Sequence, residues 1–246
     1  MTDVLPASRA SLDLTHVVYD DTSHLSLVLA LITLSPVLLM ASYAALAVQT
    51  RELTIILMWA GQFACEGFNF VLKHIIKQDR PMEMGPGYGF PSSHSQYMGY
   101  FVSFLICHLY IRHRFPPSGI RLLDRLLKPL VCLGLICWAG VVAYSRYHLG
   151  YHTPHQIVWG LIIGALCGTA FYTVVELIPT RPSPSPLKTL RTALLDHPLA
   201  QWLRIRDGWA VYGDGGTDEE WKRWRKQFEL KAREECRTSA ESKRVH

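Results

Sequence analysis

Residues 25–48 read LSLVLALITLSPVLLMASYAALAV, without one charged side chain. At about 1.5 Å per residue, a helix of this length crosses a hydrocarbon core of about 30 Å. Such a run leaves a water-soluble helix no solvent face, so the block commits the chain to a bilayer. Further apolar blocks occupy residues 53–76, 96–111, 130–144 and 156–178. A soluble helical protein with a large core is the competing reading, and several uncharged stretches in one chain, 49% of it hydrophobic, argue against it. Because lipid leaves no partner for an open backbone group, the expected fold is all-α: a multi-span membrane helical bundle with about five transmembrane helices. The blocks at 96–111 and 130–144 are short and are expected to borrow polar flanks at the membrane surface.

Asp3, Asp13, Asp20 and Asp21 precede the first block where a cleavable signal would carry basic residues, so the first span is expected to be retained. Of the six cysteines, Cys65, Cys107, Cys132, Cys137 and Cys167 lie within spans and Cys236 in the tail, so neither a disulfide framework nor a thiolate metal site is expected. Three regions follow: an N-terminal segment 1–24, a transmembrane domain 25–179, and a basic tail 180–246. The loops alternate sharply in charge. Arg51, Arg112, Arg114, Arg121, Arg125 and Lys128 fall on the tail side, against Arg9, Lys77, Arg80 and Arg146 on the other. The positive-inside rule then makes the tail side cytoplasmic and the opposite side lumenal or external.

The tail opens with the extended linker RPSPSP, residues 181–186. Two amphipathic stretches follow. Residues 190–205 carry Leu194, Leu195, Leu199, Trp202 and Leu203 among basic residues, and Trp221, Trp224 and Phe228 share a face after a Thr217 to Glu220 capping box. Each stretch fits either a membrane-surface helix or a solvated appendage.

Polar residues interrupt the second span at Gln62, Glu66, Asn69 and Lys73, the spacing of one helical face. A Glu and a Lys in the membrane are costly and by default mark a bundle interior or cavity; helix-packing glue around a buried Glu66 to Lys73 pair is the bland alternative. The stripe leads on to Arg80 and Pro81. After the loop MEMGPGYGF comes PSSHSQ, residues 91–96, where Ser93 and Gln96 have capping-box spacing and a helix is expected to start at Ser92 or Ser93. Such a start offers amides and hydroxyls to a phosphate. Arg146 closes the fourth span and His152 precedes the fifth, so Lys73, Arg80, His94, Arg146 and His152 all meet one membrane face. His148, His152 and His155 raise the question of zinc, but between Met84 and Val175 the acidic residue present is Asp124, on the opposite side. A cationic site without carboxylates attracts polyanions, so no metal or other cofactor is expected. Two histidines in an anion site suit phosphoryl transfer, one attacking phosphorus and the other protonating the departing oxygen.

KHIIKQDRP, PSSH and SRYHLGYH, in this order, resemble the three-part signature of the type 2 phosphatidic acid phosphatase superfamily, which includes the vanadium haloperoxidases. The resemblance spans about residues 73–156. It implies His152 as the nucleophile, forming a phosphohistidine, and His94 as the acid for the leaving group. Lys73, Arg80 and Arg146 would hold the phosphate oxygens with Ser92 and the backbone at Ser93, where the family commonly has Gly. Four residues after the nucleophile the family usually has Asp, whereas here Gln156 stands, able to orient the ring but not to add charge. Gln156 also fits a Thr153 to Gln156 capping box with Pro154 at the first helical position.

An HTxxQ ending is similar to the dolichyl diphosphatase branch, which implies a dolichyl or other polyprenyl diphosphate substrate, the endoplasmic reticulum membrane and a lumenal site. A phosphatase of another lipid phosphate stays open, as do a basic-vestibule transporter and an inactive scaffold. The bilayer is the expected partner, with no nucleic acid, and oligomeric state is left open. Gly160, Gly164 and Gly168 mark a close helix contact in the fifth span. His74, His148 and His155 are expected to be interfacial or hydrogen-bonding residues, and Tyr151 and Trp159 to join an interfacial belt.

Overall fold

The computed structural model describes residues 9–11, 17–81 and 87–245. The expectations for Asp3 and Asp13, and the start of the loop 82–90, lie outside the described residues. A short antiparallel pair, β1 (Arg9–Ser11) and β2 (Val18–Asp20), precedes the helices. The apolar part comprises α1 (His24–Ile32), α2 (Ser35–Thr50), α3 (Leu53–Ile76), α4 (Ser93–Ile111), α5 (Arg121–His148) and α6 (Pro154–Tyr172), the last running on into a π turn at Thr173–Leu177. In the tail are α7 (Pro186–Asp196), α8 (Pro198–Trp202), α9 (Gly208–Val211) and α10 (Thr217–Val245).

Among the described residues four segments are long and apolar enough to cross a membrane: His24–Thr50, Leu53–Ile76, Arg121–His148 and Pro154–Leu177. The first contains a break. Pro36 occupies the first turn of α2, where its missing N–H is harmless, and Ser35 Oγ donates to the Ile32 carbonyl at 2.6 Å, stitching α1 to α2. The third expected block, α4, is a helix of 19 residues, but Ser93, His94, Ser95 and Gln96 in its first turn make it less apolar than the others. It does not need a lipid-like surface, because it lies at the centre of the bundle with Tyr97, Met98, Tyr100 and Phe104 buried. Around it pack Tyr43, Met58, Val142 and Tyr172 from the neighbouring helices. The glycine face of α6 lies against α4 as its composition predicted. A Cβ on Gly164 would run into the Gln96 carbonyl, and one on Gly99 into that of Leu161, so the two backbones approach as only glycine permits.

Residues 121–128 were expected in a loop and are instead the first turns of α5, which extends on both sides of the expected block 130–144. Their charges leave the apolar window but suit a helix standing clear of the core, and Arg121, Leu122 and Leu123 are exposed. Thr217 and Glu220 do not form their capping box. Asp214 caps α10 instead, its carboxylate accepting from Gly216 N at 3.0 Å and Asp218 N at 2.7 Å, while Thr217 Oγ1 donates to the Asp214 carbonyl.

Part of the tail docks on the bundle. Glu176 on the π turn is fully buried and pairs with Arg112 and, at 3.2 Å, with Arg191 of α7. Asp207 pairs with the same two arginines at 3.3 and 2.7 Å. Arg206 pairs with Glu52 at 2.6 Å, and its backbone runs parallel beside the α2 to α3 turn, with Arg206 N donating to the Arg51 carbonyl at 3.0 Å. These contacts fix α7 to α9 against the bundle end. Stripped of one partner, each buried ion would face a penalty of several kcal/mol.

Candidate active site

At the opposite end of the bundle, α3, α4, α5 and the turn into α6 bring their polar residues together. Lys73 Nζ donates to Ser93 Oγ at 2.6 Å, and Ser93 Oγ donates to Asn69 Oδ1 at 3.0 Å. Asn69 Nδ2 donates to Gln96 Oε1 at 2.7 Å, and Gln96 Nε2 donates to the Cys65 carbonyl at 2.9 Å. This chain explains why Gln96 does not cap α4. The helix does start after Ser92, but Gln96 turns inward, fully buried, to satisfy the polar stripe of α3. The Glu66 to Lys73 pair of the alternative, helix-packing reading does not form among the described residues: Lys73 donates to Ser93, and Glu66 Oε1 has no hydrogen-bond partner.

Arg146, in the last turn of α5, is buried. Its Nη1 donates to Thr33 Oγ1 at 3.2 Å, and its guanidinium lies 3.9 Å from the centre of the Tyr151 ring. Tyr151 was expected in an interfacial belt; it forms a wall of the site, and its hydroxyl accepts from Val18 N at 2.8 Å. Thr33 sits at the break between α1 and α2 and was not anticipated. Its signal was faint: a threonine in an uncharged block, followed by Ser35 and Pro36. The buried Nε atoms of Arg146 and Arg80 have no hydrogen-bond partner, and among the described residues no ion pair ends on Lys73, Arg80 or Arg146. Those open donors, within electrostatic reach of one another, have the chemistry to hold an anion.

His152 lies in the turn between α5 and α6, held by its backbone N–H to the Arg146 carbonyl at 3.3 Å. Its Nδ1 is 3.2 Å from Gln156 Oε1. The orientation of that amide follows from its other bonds: Oε1 accepts from Thr153 N at 3.3 Å, and Nε2 donates to the Asp79 carbonyl at 3.1 Å. An amide oxygen offers no proton, so Nδ1 carries the hydrogen and Nε2 keeps its lone pair. The Thr153 to Gln156 capping box forms at the same time, so Gln156 both starts α6 and fixes the histidine tautomer. A side chain on Gly89 would collide with Gln156, which keeps this corner glycine-bound. Burial, then the charge of Arg146, pushes the His152 imidazole down to about 3, while the hydrogen bond to Gln156 pulls the other way. The ring is therefore neutral near pH 7, the state a nucleophile requires.

His94, on the first turn of α4, has Arg146, His152 and Lys73 as its charged or titratable neighbours. Ser92 is fully buried, its Oγ accepting from Ser95 Oγ at 3.1 Å. His155 and His74 do local work: His155 Nε2 accepts from Trp159 Nε1 at 2.9 Å, and His74 Nδ1 lies 2.8 Å from the Phe70 carbonyl.

Residues 52–178 match the PAP2 superfamily, and that stretch contains every residue of the site except Thr33. The chain belongs to the PAP2 superfamily. Dolichyldiphosphatase 1 of Homo sapiens is 35% identical, with 82% of this chain and 84% of the relative covered. Dolichyldiphosphatase of Saccharomyces cerevisiae is 34% identical, covering 68% and 70%. A Neurospora crassa relative is 32% identical, covering 89% and 92%. No solved structure matches the chain. Within the PAP2 superfamily, the three signature blocks of this member thus meet at one end of a helical membrane bundle.

Proposed function

We propose that the protein hydrolyses dolichyl diphosphate to dolichyl phosphate and inorganic phosphate. The observation that carries this reading is a neutral, tautomer-fixed His152 set among three cations on which no ion pair among the described residues ends. Two families of support meet here: the phosphate chemistry of the site, and the similarity over most of the chain to proteins named dolichyldiphosphatase.

In the first step His152 Nε2 attacks the terminal phosphorus. The N–P bond forms as the bridging P–O bond breaks, and dolichyl phosphate leaves with a proton from His94. In the second step His94 takes a proton from water, whose oxygen attacks the phosphohistidine; the N–P bond breaks and inorganic phosphate departs. Lys73, Arg80 and Arg146 stabilise the equatorial oxygens in both steps, and Ser92 with the backbone at Ser93 completes the cradle. Gln156 orients His152 without adding charge. The site faces the lumen of the endoplasmic reticulum and the tail faces the cytoplasm, as the loop charges favour.

The test is phosphate release by the full chain purified in detergent with excess chelator, on dolichyl diphosphate, dolichyl monophosphate and phosphatidate. Fastest release from the diphosphate is expected. Preference for phosphatidate would move the substrate and keep the site, while silence on all three would overturn the enzymatic reading.

A further inference from the structure

Two grooves run together on the tail side of the bundle. One, of about 450 Å³, lies between the spanning helices and the tail, with Ala47, Val48 and Ile56 on one wall and Trp202, Leu203 and Ile205 on the other. The second, of about 430 Å³, continues from Leu203 and Ile205 along Leu190, Leu194 and Leu199. Trp202 is 77% exposed and Val48 76% exposed, so each wall presents an apolar side chain that the chain itself leaves largely uncovered.

The position of the groove identifies what covers it. Ala47, Val48 and Ile56 belong to the spans His24–Thr50 and Leu53–Ile76, whose outer faces meet lipid, so the groove opens sideways into the bilayer. The tail wall cannot swing away, because the Glu176, Asp207 and Glu52 ion pairs hold its segment to the bundle. Arg51 lines the groove, and Arg204 lies exposed between the wall residues Leu203 and Ile205, just before the strand-like contact in which Arg206 N donates to the Arg51 carbonyl. Among the described residues neither Arg51 nor Arg204 ends in an ion pair.

We infer that this groove is a binding site for an anionic phospholipid of the leaflet on the tail side. One acyl chain lies between Trp202 and Val48, and the head-group phosphate meets Arg51 and Arg204. Apolar walls open to lipid hold the chain, and basic residues at the surface select the negative head group. Trp202 suits the boundary between the two, its ring apolar and its indole N–H able to reach the wet side. The site stands at the opposite end of the bundle from His152 and does not depend on the reaction assigned there.

The test uses the full chain in nanodiscs containing phospholipids with brominated acyl chains, which quench nearby indoles. Since the chain has seven tryptophans, the signal of Trp202 is read as the difference from Trp202→Phe. The Trp202 signal is expected to fall severalfold with brominated phosphatidylserine, and at lower mole fraction than with brominated phosphatidylcholine. Arg51→Gln and Arg204→Gln are each expected to weaken that preference about fivefold, the worth of one basic residue near an anionic surface. Phosphate release should be unchanged in all three variants, which checks their folding. An unquenched Trp202 would overturn the site. So would equal quenching by both lipids, or a two-chain particle with Trp202 shielded by a second copy.

Discussion

The two ends of the bundle use the same side chains in opposite ways. At the tail end, Arg112, Arg191 and Arg206 are matched by Glu176, Asp207 and Glu52, and the product is a fixed joint between the tail and the spans. At the other end, Lys73, Arg80 and Arg146 gather with the buried Nε groups of both arginines left open and no ion pair among the described residues ending on any of the three. Matched ions hold a structure together; unmatched ones are stable only when an anion arrives, which makes them a site. An arginine in a membrane bundle is therefore read by its partner rather than by its burial.

Substitutions at the two ends should fail differently. His152→Ala is expected to lower phosphate release by about 10³-fold or more without a change in unfolding temperature, since it removes the attacking atom and little packing. Glu176→Gln is expected to do the reverse. It leaves Arg112 and Arg191 facing a neutral amide and should cost about 3–5 kcal/mol of stability by denaturant unfolding, with turnover per folded molecule unchanged. Arg146→Lys keeps the charge but loses the Thr33 bond and the Tyr151 face, and should reduce turnover on the order of 10²-fold.

The smallest effect is a shift in pH. In the folded protein His152 titrates near 3, against an ordinary 6.5, so between those values the unfolded chain binds a proton that the folded chain refuses. The contribution of His152 to stability is thus present above about pH 6.5 and is lost as pH falls toward 3. In Gln156→Asp, a carboxylate beside Nδ1 would favour the imidazolium, narrowing that window and moving the acid limb of kcat/KM up by about one unit. An unmoved limb would mean that Gln156 acts only as the cap of α6.

The site was more legible than the joint. Lys73, Arg80, His94, Arg146 and His152 announce themselves because a polar residue at the edge of an apolar block is costly, and their order is itself a signature. The double duty of Gln156 was also readable, from Thr153 and Pro154 in front of it. Thr33 was not, since its bond to Arg146 spans 113 residues and nothing local marks it. Glu52, Glu176 and Asp207 were not singled out in the sequence, and the return of the tail makes them partners. The capping boxes expected at Ser93 and Thr217 failed for one reason: another partner, the Asn69 amide donating to Gln96 and the Asp214 carboxylate accepting from the start of α10, competed better than the local motif.

The central claim, that the unmatched cations serve transfer of phosphate to His152, is tested most directly by brief reaction with dolichyl diphosphate labelled at its terminal phosphate, followed by denaturation. Acid-labile, base-stable label on the chain is predicted, absent in His152→Ala and longer-lived in His94→Asn. Label that persists in His152→Ala, or phosphate release with no label on the chain at any time, would contradict it.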